Sequence, residues 1–484
     1  MTTKLVAAEP SSVCKVLLRK PAAEWPWPIP VGWRWERIGD VTQIVGGGTP
    51  RTGQPENFGD DIPWITPADL SGYTNKYISR GARSISQTGL ATSGARVLPA
   101  GTVLFSSRAP IGYVAIAKNP VATNQGFKSF VLNPNLIPDF VYYWLQVAKP
   151  MAVKLASGTT FLEISGKKIA ELPIPVAPLA SQWLVAAYLD EQLSRLDASV
   201  AALLRAQANF KRYRASVLKA ACEGRLVPTE ADLARVEGQT FETGARLLER
   251  VIAERREGLA ALRKHDKAVS PSVTGLPRLP AAWAWASIEQ INLASRPCAY
   301  GVLQPGSDQP DGVRFVRVGD IVDGHIQLDG LKQIDPTVAA AYPRTKLLGG
   351  EVLITLVGAI GRTAVVPPML AGANTARAVG VIPLSRSVCA EWVELWFRNP
   401  STIDRMTAAS HEVARKTLNL EDVRLAAVPL PPLAEQHRIV AEADRRLSLI
   451  RAAEAQVTAN LARAKRLRQS ILQAAFAAPG SAGQ

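Results

Sequence analysis

The strongest constraint on this fold is an internal repeat. Leu172-Pro-Ile-Pro-Val-Ala-Pro-Leu-Ala-Ser-Gln182 returns near the C-terminus as Val428-Pro-Leu-Pro-Pro-Leu-Ala-Glu-Gln436, and Arg214-Ala-Ser-Val-Leu-Lys-Ala-Ala221 returns as Arg468-Gln-Ser-Ile-Leu-Gln-Ala-Ala475. The offset is 254 residues in both stretches. Fainter echoes precede each of them. Trp33 and Trp35 match Trp283 and Trp285, Trp64…Asp69 matches Phe315…Asp320, and Gly101-Thr-Val-Leu104 matches Gly350-Glu-Val-Leu353. Gly112 pairs with Gly361, Asn124 with Asn374 and Trp144 with Trp396. Two copies, rather than three or more short units, mean a duplicated domain and not a solenoid. Such a chain should fold with approximate two-fold symmetry, and duplex DNA is the commonest target with a matching two-fold.

At 484 residues the chain is too long for one core. Its net charge of +15 favours a polyanionic partner. The surplus is spread: residues 28–172 carry 14 basic and 9 acidic side chains, residues 277–428 carry 15 and 14. A surface lying along a duplex suits that distribution better than a basic tail. Cys14, Cys222, Cys298 and Cys389 are far apart, which argues against a disulfide framework and fits a reducing cytoplasm. No apolar run approaches the length of a membrane span, and Glu9-Pro10 interrupts any signal-peptide core.

The expected organisation is a tail at residues 1–27, a globular unit at 28–175, a helical region at 176–275, a second globular unit at 276–430, a second helical region at 431–476 and a tail at 477–484. Both globular units read as mixed α/β. Short β-branched runs at Thr102–Phe105, Tyr113–Ala117 and Phe127–Leu132, and at Glu351–Leu356, Arg362–Val366 and Ala378–Ile382, alternate with turn residues. Helical patches are predicted at Pro138–Ala148 and Ala390–Arg398. The helical regions differ in kind. From Gln182 to Ala221, and again from Gln436 to Ala475, heptad positions recur at alternating spacings of four and three. The seam runs through Leu189, Leu193, Leu196, Val200, Leu203 and Phe210 in one copy, and Leu447, Ile450, Val457, Leu461 and Ile471 in the other. A seam this long predicts a coiled coil, with long helices at 179–222 and 431–476. Related by a two-fold, they would run antiparallel as a spacer. A further helix is expected over 241–267.

Catalytic constellations are missing. The chain has no Asn/Asp-Pro-Pro-aromatic tetrapeptide for holding a target amine, no G-x-G-x-x-G, no phosphate loop and no lysine with Asp or Glu two residues before it. His265, His325, His411 and His437 are scattered, with no metal-ligand spacing.

With these residues assembled, the chain resembles the specificity (S) subunits of type I restriction–modification systems over nearly all of residues 28–476. The first copy carries Gly47-Gly-Thr-Pro50, Ile62-Pro-Trp-Ile-Thr66…Asp69-Leu70 and Ser107-Arg-Ala-Pro-Ile-Gly112…Asn124-Gln-Gly-Phe127. The second carries Tyr300-Gly…Pro305-Gly306, Val316-Arg-Val-Gly-Asp320, Val357-Gly-Ala-Ile-Gly-Arg362 and Asn374-Thr-Ala-Arg377. The most specific stretches are Pro-Leu-Pro-Pro-Leu-Ala-Glu-Gln436 and Ser216-Val-Leu-Lys-Ala-Ala-Cys-Glu-Gly-Arg-Leu-Val-Pro228, where Cys222 replaces a Phe common in the family. The resemblance implies two target-recognition domains, each reading half of a bipartite site in double-stranded DNA, held apart by the helical spacer. It implies two modification subunits carrying S-adenosylmethionine and two restriction subunits carrying ATP and Mg, with no cofactor, metal or catalysis on this chain. A self-contained methyltransferase or nuclease, and a helical protein scaffold, are the competing readings.

Base reading needs donors and acceptors presented from loops or element ends. The candidates in the first copy are Arg51, Thr66, Tyr73, Asn75, Lys76, Arg80, Arg83, Arg108, Asn124, Gln125 and Lys128. In the second copy they are Arg296, Tyr300, Gln304, Arg314, Arg317, His325, Gln327, Thr355, Arg362, Asn374 and Arg377. Asn124 and Asn374 could equally form turns. Asp69 and Asp320 fit a structural turn better than base reading, and the Trp pairs fit core anchors. The clusters Lys211-Arg-Tyr-Arg214 and Arg463…Arg468 suit phosphates, partner subunits or a solvated helix face alike.

Overall fold

A computed structural model describes residues 25–158, 162–266, 268–408 and 417–478. The repeated motif marks the same junction twice. Pro173–Val176 pairs antiparallel with Arg34–Arg37, and Ala427–Leu430 pairs antiparallel with Ala284–Ser287. Directly after each strand a long helix begins, Leu179–Cys222 in the first copy and Leu433–Ala474 in the second. The motif glutamine explains why the helix starts there. Gln182 is fully buried; its Nε2 donates to Asn135 O and Ala177 O, both at 2.8 Å, and its Oε1 accepts from Ile137 N at 3.0 Å. Gln436, equally buried, donates to Pro431 O at 2.8 Å and accepts from Cys389 N at 3.0 Å. In both copies the acceptor oxygen caps the start of the helix that backs the recognition sheets, Pro138–Leu155 and Ala390–Arg398. One amide thus ties strand end, long helix and backing helix together.

The chain divides into two compact units. The first comprises residues up to Leu204 with the chain from Thr458 onward; the second is Arg205–Val457. In the first, a five-stranded sheet runs in the order Thr42–Gly46, Lys128–Leu132, Val103–Phe105, Val114–Ala117, Tyr77–Ile78. Beside it lies a three-stranded sheet, Arg83–Ile85, Phe58–Ile65, Ala122–Thr123. The second unit repeats the plan. Its four-stranded sheet is ordered Ala299–Tyr300, Val379–Ile382, Val352–Thr355, Thr363–Val365, and its three-stranded sheet Lys332–Ile334, Val313–Val316, Asn374–Thr375. A small hairpin, Ile321–Val322 with His325–Ile326, completes it.

The register corrects one sequence match. Trp64 pairs with Ala122, and Phe315 with Asn374. Asn374 therefore occupies the place of Ala122, so the Asn124–Asn374 echo is one of composition, not position. Gly112 and Gly361 do correspond. Each has positive φ, +96° and +79°, and each donates to the carbonyl six residues before it, at Ser106 and Thr355.

The tryptophans anchor both copies. Trp33 lies against Phe140 and Trp35 against Trp144, while Trp283 lies against Trp392 and Trp285 against Trp396, all with ring centroids 5.3–5.9 Å apart. The expected N-terminal tail is shorter than 27 residues. Trp25 stacks on Trp35 at 6.0 Å, and Trp27 donates from Nε1 to Phe476 O at 3.0 Å. Trp27 packs against the first core, and Ala478 N donates to Pro28 O at 3.0 Å; residues 1–24 and 479–484 of the two expected tails lie outside the described residues. The backing helix also runs past the predicted end at Ala148, through Pro150 to Leu155. Proline costs a helix one hydrogen bond, but burial of Ala152 beyond it keeps the added turn packed.

Within each unit the long helices run antiparallel. In the first, Leu189 and Leu193 share a core with Leu472 and Phe476, and Arg468 meets Asp197 at 2.5 Å. In the second, Val217 and Ala221 share a core with Ile439, Ala443 and Leu447. The seam is not uniformly buried: Leu196, Val200, Leu203, Phe210, Leu461 and Ile471 are half-exposed, whereas Leu447, Ile450 and Val457 are buried. Two polar seam positions, Arg214 and Glu454, pair with each other at 2.5 Å; a polar pair in such a seam fixes register. The expected 241–267 helix is Gly244–Ala261. Buried Arg255 holds it, reaching Glu289 at 3.1 Å and Asn292 O at 3.0 Å.

Candidate nucleic-acid interface

The three-stranded sheet in each unit carries one exposed arginine, and the other candidates lie mostly on loops. In the first unit Arg83 sits on the edge strand, exposed, with its guanidinium 3.8 Å from the ring centroid of Phe58. Stacking holds the planar group flat while leaving its edge donors free. Arg80 is exposed two residues before that strand's first neighbour and lies 3.9 Å from Asp60. Arg51 is exposed in the loop whose carbonyl at that residue accepts from Asn57 Nδ2 at 3.0 Å. Asn75 and Gln125 are exposed; Gln125 accepts from Thr49 of the Gly47-Gly-Thr-Pro50 motif. A second group surrounds Glu163, with Arg108 at 3.6 Å and Lys128 at 3.9 Å. Burial pulls Lys128 below the ordinary lysine range, against the opposing charge of Glu163 and helped by Arg108.

In the second unit Arg314 projects from the central strand of the matching sheet and is exposed. Its cross-strand neighbour is the half-buried Gln333, a pairing that joins residues 19 apart sharing no motif. Arg317 is exposed but clasped by Asp320, its Nη2 3.0 Å from Oδ1. Gln304, Gln327, Arg362 and Arg377 are exposed. Tyr300 is exposed while its hydroxyl accepts from Leu420 N at 2.9 Å. Tyr73 is exposed too, donating to Tyr77 O at 2.6 Å. His325 stands on the hairpin, held below the usual imidazole range by partial burial and by the charges of Arg451 and Arg398.

Six candidates do structural work instead. Thr66 donates to Asp69 Oδ2 at 2.7 Å, within a cap in which Asp69 also receives Thr66 N and Ala82 N. Asn124 closes a turn, accepting from Gly126 N at 2.9 Å. Lys76 is folded between Asp139 and Asp190. Arg296 reaches Glu351 at 2.6 Å and Lys346 O at 2.8 Å. Thr355 is fully buried and accepts from Arg362 N at 2.9 Å. Asn374 is buried, bonded to Thr345 Oγ1 at 2.6 Å and to Thr375 N at 2.9 Å. A buried polar side chain must be spent on internal partners, so residue type alone overestimates the reading surface. Asp69 and Asp320 are the cap carboxylates expected of them: Asp320 receives Arg317 N at 2.7 Å, as Asp69 receives Thr66 N. Arg214 and Arg468 are committed to Glu454 and Asp197.

Among the described residues no group of three His, Cys, Asp or Glu side chains could hold a metal ion. None of their helices is long and apolar enough to cross a membrane. Cys222, Cys298 and Cys389 are buried thiols, each pushed up to about 12 by burial. What the geometry offers in each unit is one exposed arginine on the three-stranded sheet, Arg83 or Arg314, with further exposed arginine, glutamine and asparagine side chains on loops. Guanidinium and carboxamide groups can read base edges through paired hydrogen bonds.

Comparison with known proteins agrees. Residues 30–201 match the type I restriction modification DNA specificity domain family. The specificity subunit of type I restriction enzyme EcoBI from Escherichia coli is 30% identical over 449 residues, covering 91% of this chain and 85% of that one. The MjaIX specificity subunit of Methanocaldococcus jannaschii is 42% identical over 164 residues, 33% of this chain and 38% of that one. A solved structure of a type I R-M system superposes with a TM-score of 0.67 at 18% identity, over 93% of this chain and 99% of that chain. The HsdS subunit of Thermoanaerobacter tengcongensis does so at 0.51 and 19%, over 94% and 99%. The family match and these relatives define the class, that of DNA sequence-specificity proteins. The chain belongs to the specificity subunits of type I restriction enzymes.

Proposed function

We propose that this chain recognises a bipartite site in double-stranded DNA, each recognition unit reading one half, and presents it to two modification and two restriction subunits in the cytoplasm. S-adenosylmethionine would reside on the modification subunits, and ATP with Mg on the restriction subunits. The observation that carries this reading is the duplication itself: two copies of one sheet plan, each with its own exposed set of basic and amide side chains. In the first, Arg51, Asn75, Arg80, Arg83 and Gln125 form the set; in the second, Gln304, Arg314, Arg317, Arg362 and Arg377. Tyr73, Arg108, Lys128, Tyr300, His325 and Gln327 flank these positions. The long helices would set the gap between the halves. Reconstituting the chain with methyltransferase subunits and sequencing the modified bases in a randomised duplex library tests this. The expected product is two short sequences at a constant separation; one contiguous sequence, or none, refutes it.

A further inference from the structure

Lys76 turns away from the surface that its neighbours present. Its Nζ lies 2.6 Å from Asp139 Oδ1, in the first turn of the backing helix, and 2.7 and 2.8 Å from the two oxygens of Asp190 on the long helix Leu179–Cys222. All three ammonium protons are thereby used. Tyr77 donates to both oxygens of Asp139, at 2.8 and 2.9 Å, Tyr143 donates to Asp190, and the Tyr143 ring lies 5.1 Å from Nζ. The lysine and Asp139 side chains are only 16% and 14% exposed, so screening of this pair is weak. Burial works against the lysine's charge, but the hydrogen bonds and charges of both carboxylates outweigh it and hold the ammonium above the ordinary lysine range.

The clamp's place in the chain gives it meaning. Lys76 immediately precedes Tyr77–Ile78, the short edge strand of the five-stranded sheet. Exposed Tyr73 and Asn75 lie just before it, and exposed Arg80 and Arg83 just after. Among the side chains of this segment, Lys76 carries the ion pairs to the helices. In the second copy the hairpin Ile321–Val322 with His325–Ile326 lies at the matching sheet edge, beside Thr363–Val365, and is pinned with the charges reversed. Its turn residue Asp323 meets Arg214 of the same long helix at 3.0 Å, and its carbonyl accepts from Arg398 of the backing helix at 3.4 Å. Two diverged copies reach one connection by different residues, so the connection itself is the common requirement.

We propose that Lys76 is a positioning residue for DNA recognition, locking the Tyr73–Arg83 segment onto the long helix so that its side chains meet the bases of one half-site in fixed register. Asp323 does the same for the other half. This rests on the bipartite reading above. The test uses the full chain reconstituted with methyltransferase subunits and a randomised duplex library. Lys76→Met and Asp190→Asn should each lower discrimination at positions of one half-site by tenfold or more and leave the other half intact. Lys76→Arg should restore most of it, and Asp323→Asn should relax the opposite half only. A purely structural role would instead reduce modification of all sequences alike, with both halves' preferences unchanged, and that outcome overturns the proposal. If wild-type complex modifies no bipartite sequence, the underlying reading fails and the proposal with it. If wild type does and the variants keep full discrimination, the clamp alone is refuted.

Discussion

Replacing Gln182 with alanine should unfasten the first recognition unit from its helix. The amide makes three hydrogen bonds, two of them buried, to Ala177 O and Ile137 N, and one half-buried, to Asn135 O. Truncation leaves one buried backbone donor and one buried carbonyl without a partner, and a second carbonyl, at Asn135, that water can reach in part. Each buried group left without its partner costs about 1–3 kcal/mol, carbonyls toward the lower end because another bond can share them. The loss expected is about 4 kcal/mol, large for a single substitution. Gln436→Ala in the second unit removes two such bonds, so about 2–3 kcal/mol is expected there. Gln182→Glu should be no rescue: a carboxylate keeps the acceptor for Ile137 N but turns negative oxygen on the two carbonyls. Urea unfolding of the assembled subunit, followed by tryptophan fluorescence, measures these values. A loss below about 0.5 kcal/mol for Gln182→Ala, the range of ordinary surface changes, would show that the repeated glutamine is not the fastening.

Other outcomes follow from the same geometry. Removing one heptad from each long helix shortens each by about 10.5 Å, equal to roughly 3 base pairs at 3.4 Å each; the modified sites should keep both half-sequences and lose that much gap, and an altered half-sequence with an unchanged gap would refute the spacer. Glu394, buried beside Thr363 and Arg398, has its carboxyl pushed up to about 7 by burial. An acid raised on folding stabilises the fold while protonated, so its contribution is complete below its ordinary value of 4.5 and is lost as pH rises through about 7. The second unit should therefore lose up to about 3 kcal/mol across that window, and Glu394→Gln should flatten the slope; an unchanged slope in the variant contradicts the assignment. Arg83→Ala should weaken binding by about 1–3 kcal/mol for the correct base at one position of one half-site, measured by competition among single-base variants; equal weakening of every sequence would make it a phosphate contact.

The helices were legible because their signals are local and long. The seam from Gln182 to Ala221 predicts a helix over 179–222, and Leu179–Cys222 forms. Ala390–Arg398 is a helix with the bounds that its periodicity gives. Strands followed the β-branched runs to within a residue, as with Val379–Ile382. What the sequence hid is non-local. The hairpin and edge strands depend on partners far along the chain, and the three-stranded sheets join residues such as Phe315 and Asn374, 59 apart. The interface was half legible for the same reason. Nothing about Lys76, Arg296 or Asn374 as residue types distinguishes them from Arg83 or Arg377. Only the fold brings Asp139 and Asp190 to the first, Glu351 to the second and Thr345 to the third. Charge and motif mark a neighbourhood; burial decides which side chains face out of it.

We propose that the two halves of this chain read the two halves of a DNA site independently. Replacing residues 28–175 with the matching region of another family member, and mapping modified bases across the genome of cells carrying wild type or chimera, tests it directly. The chimera should yield a site with one half exchanged, the other half and the gap retained. A change in both halves, or in neither, would contradict it.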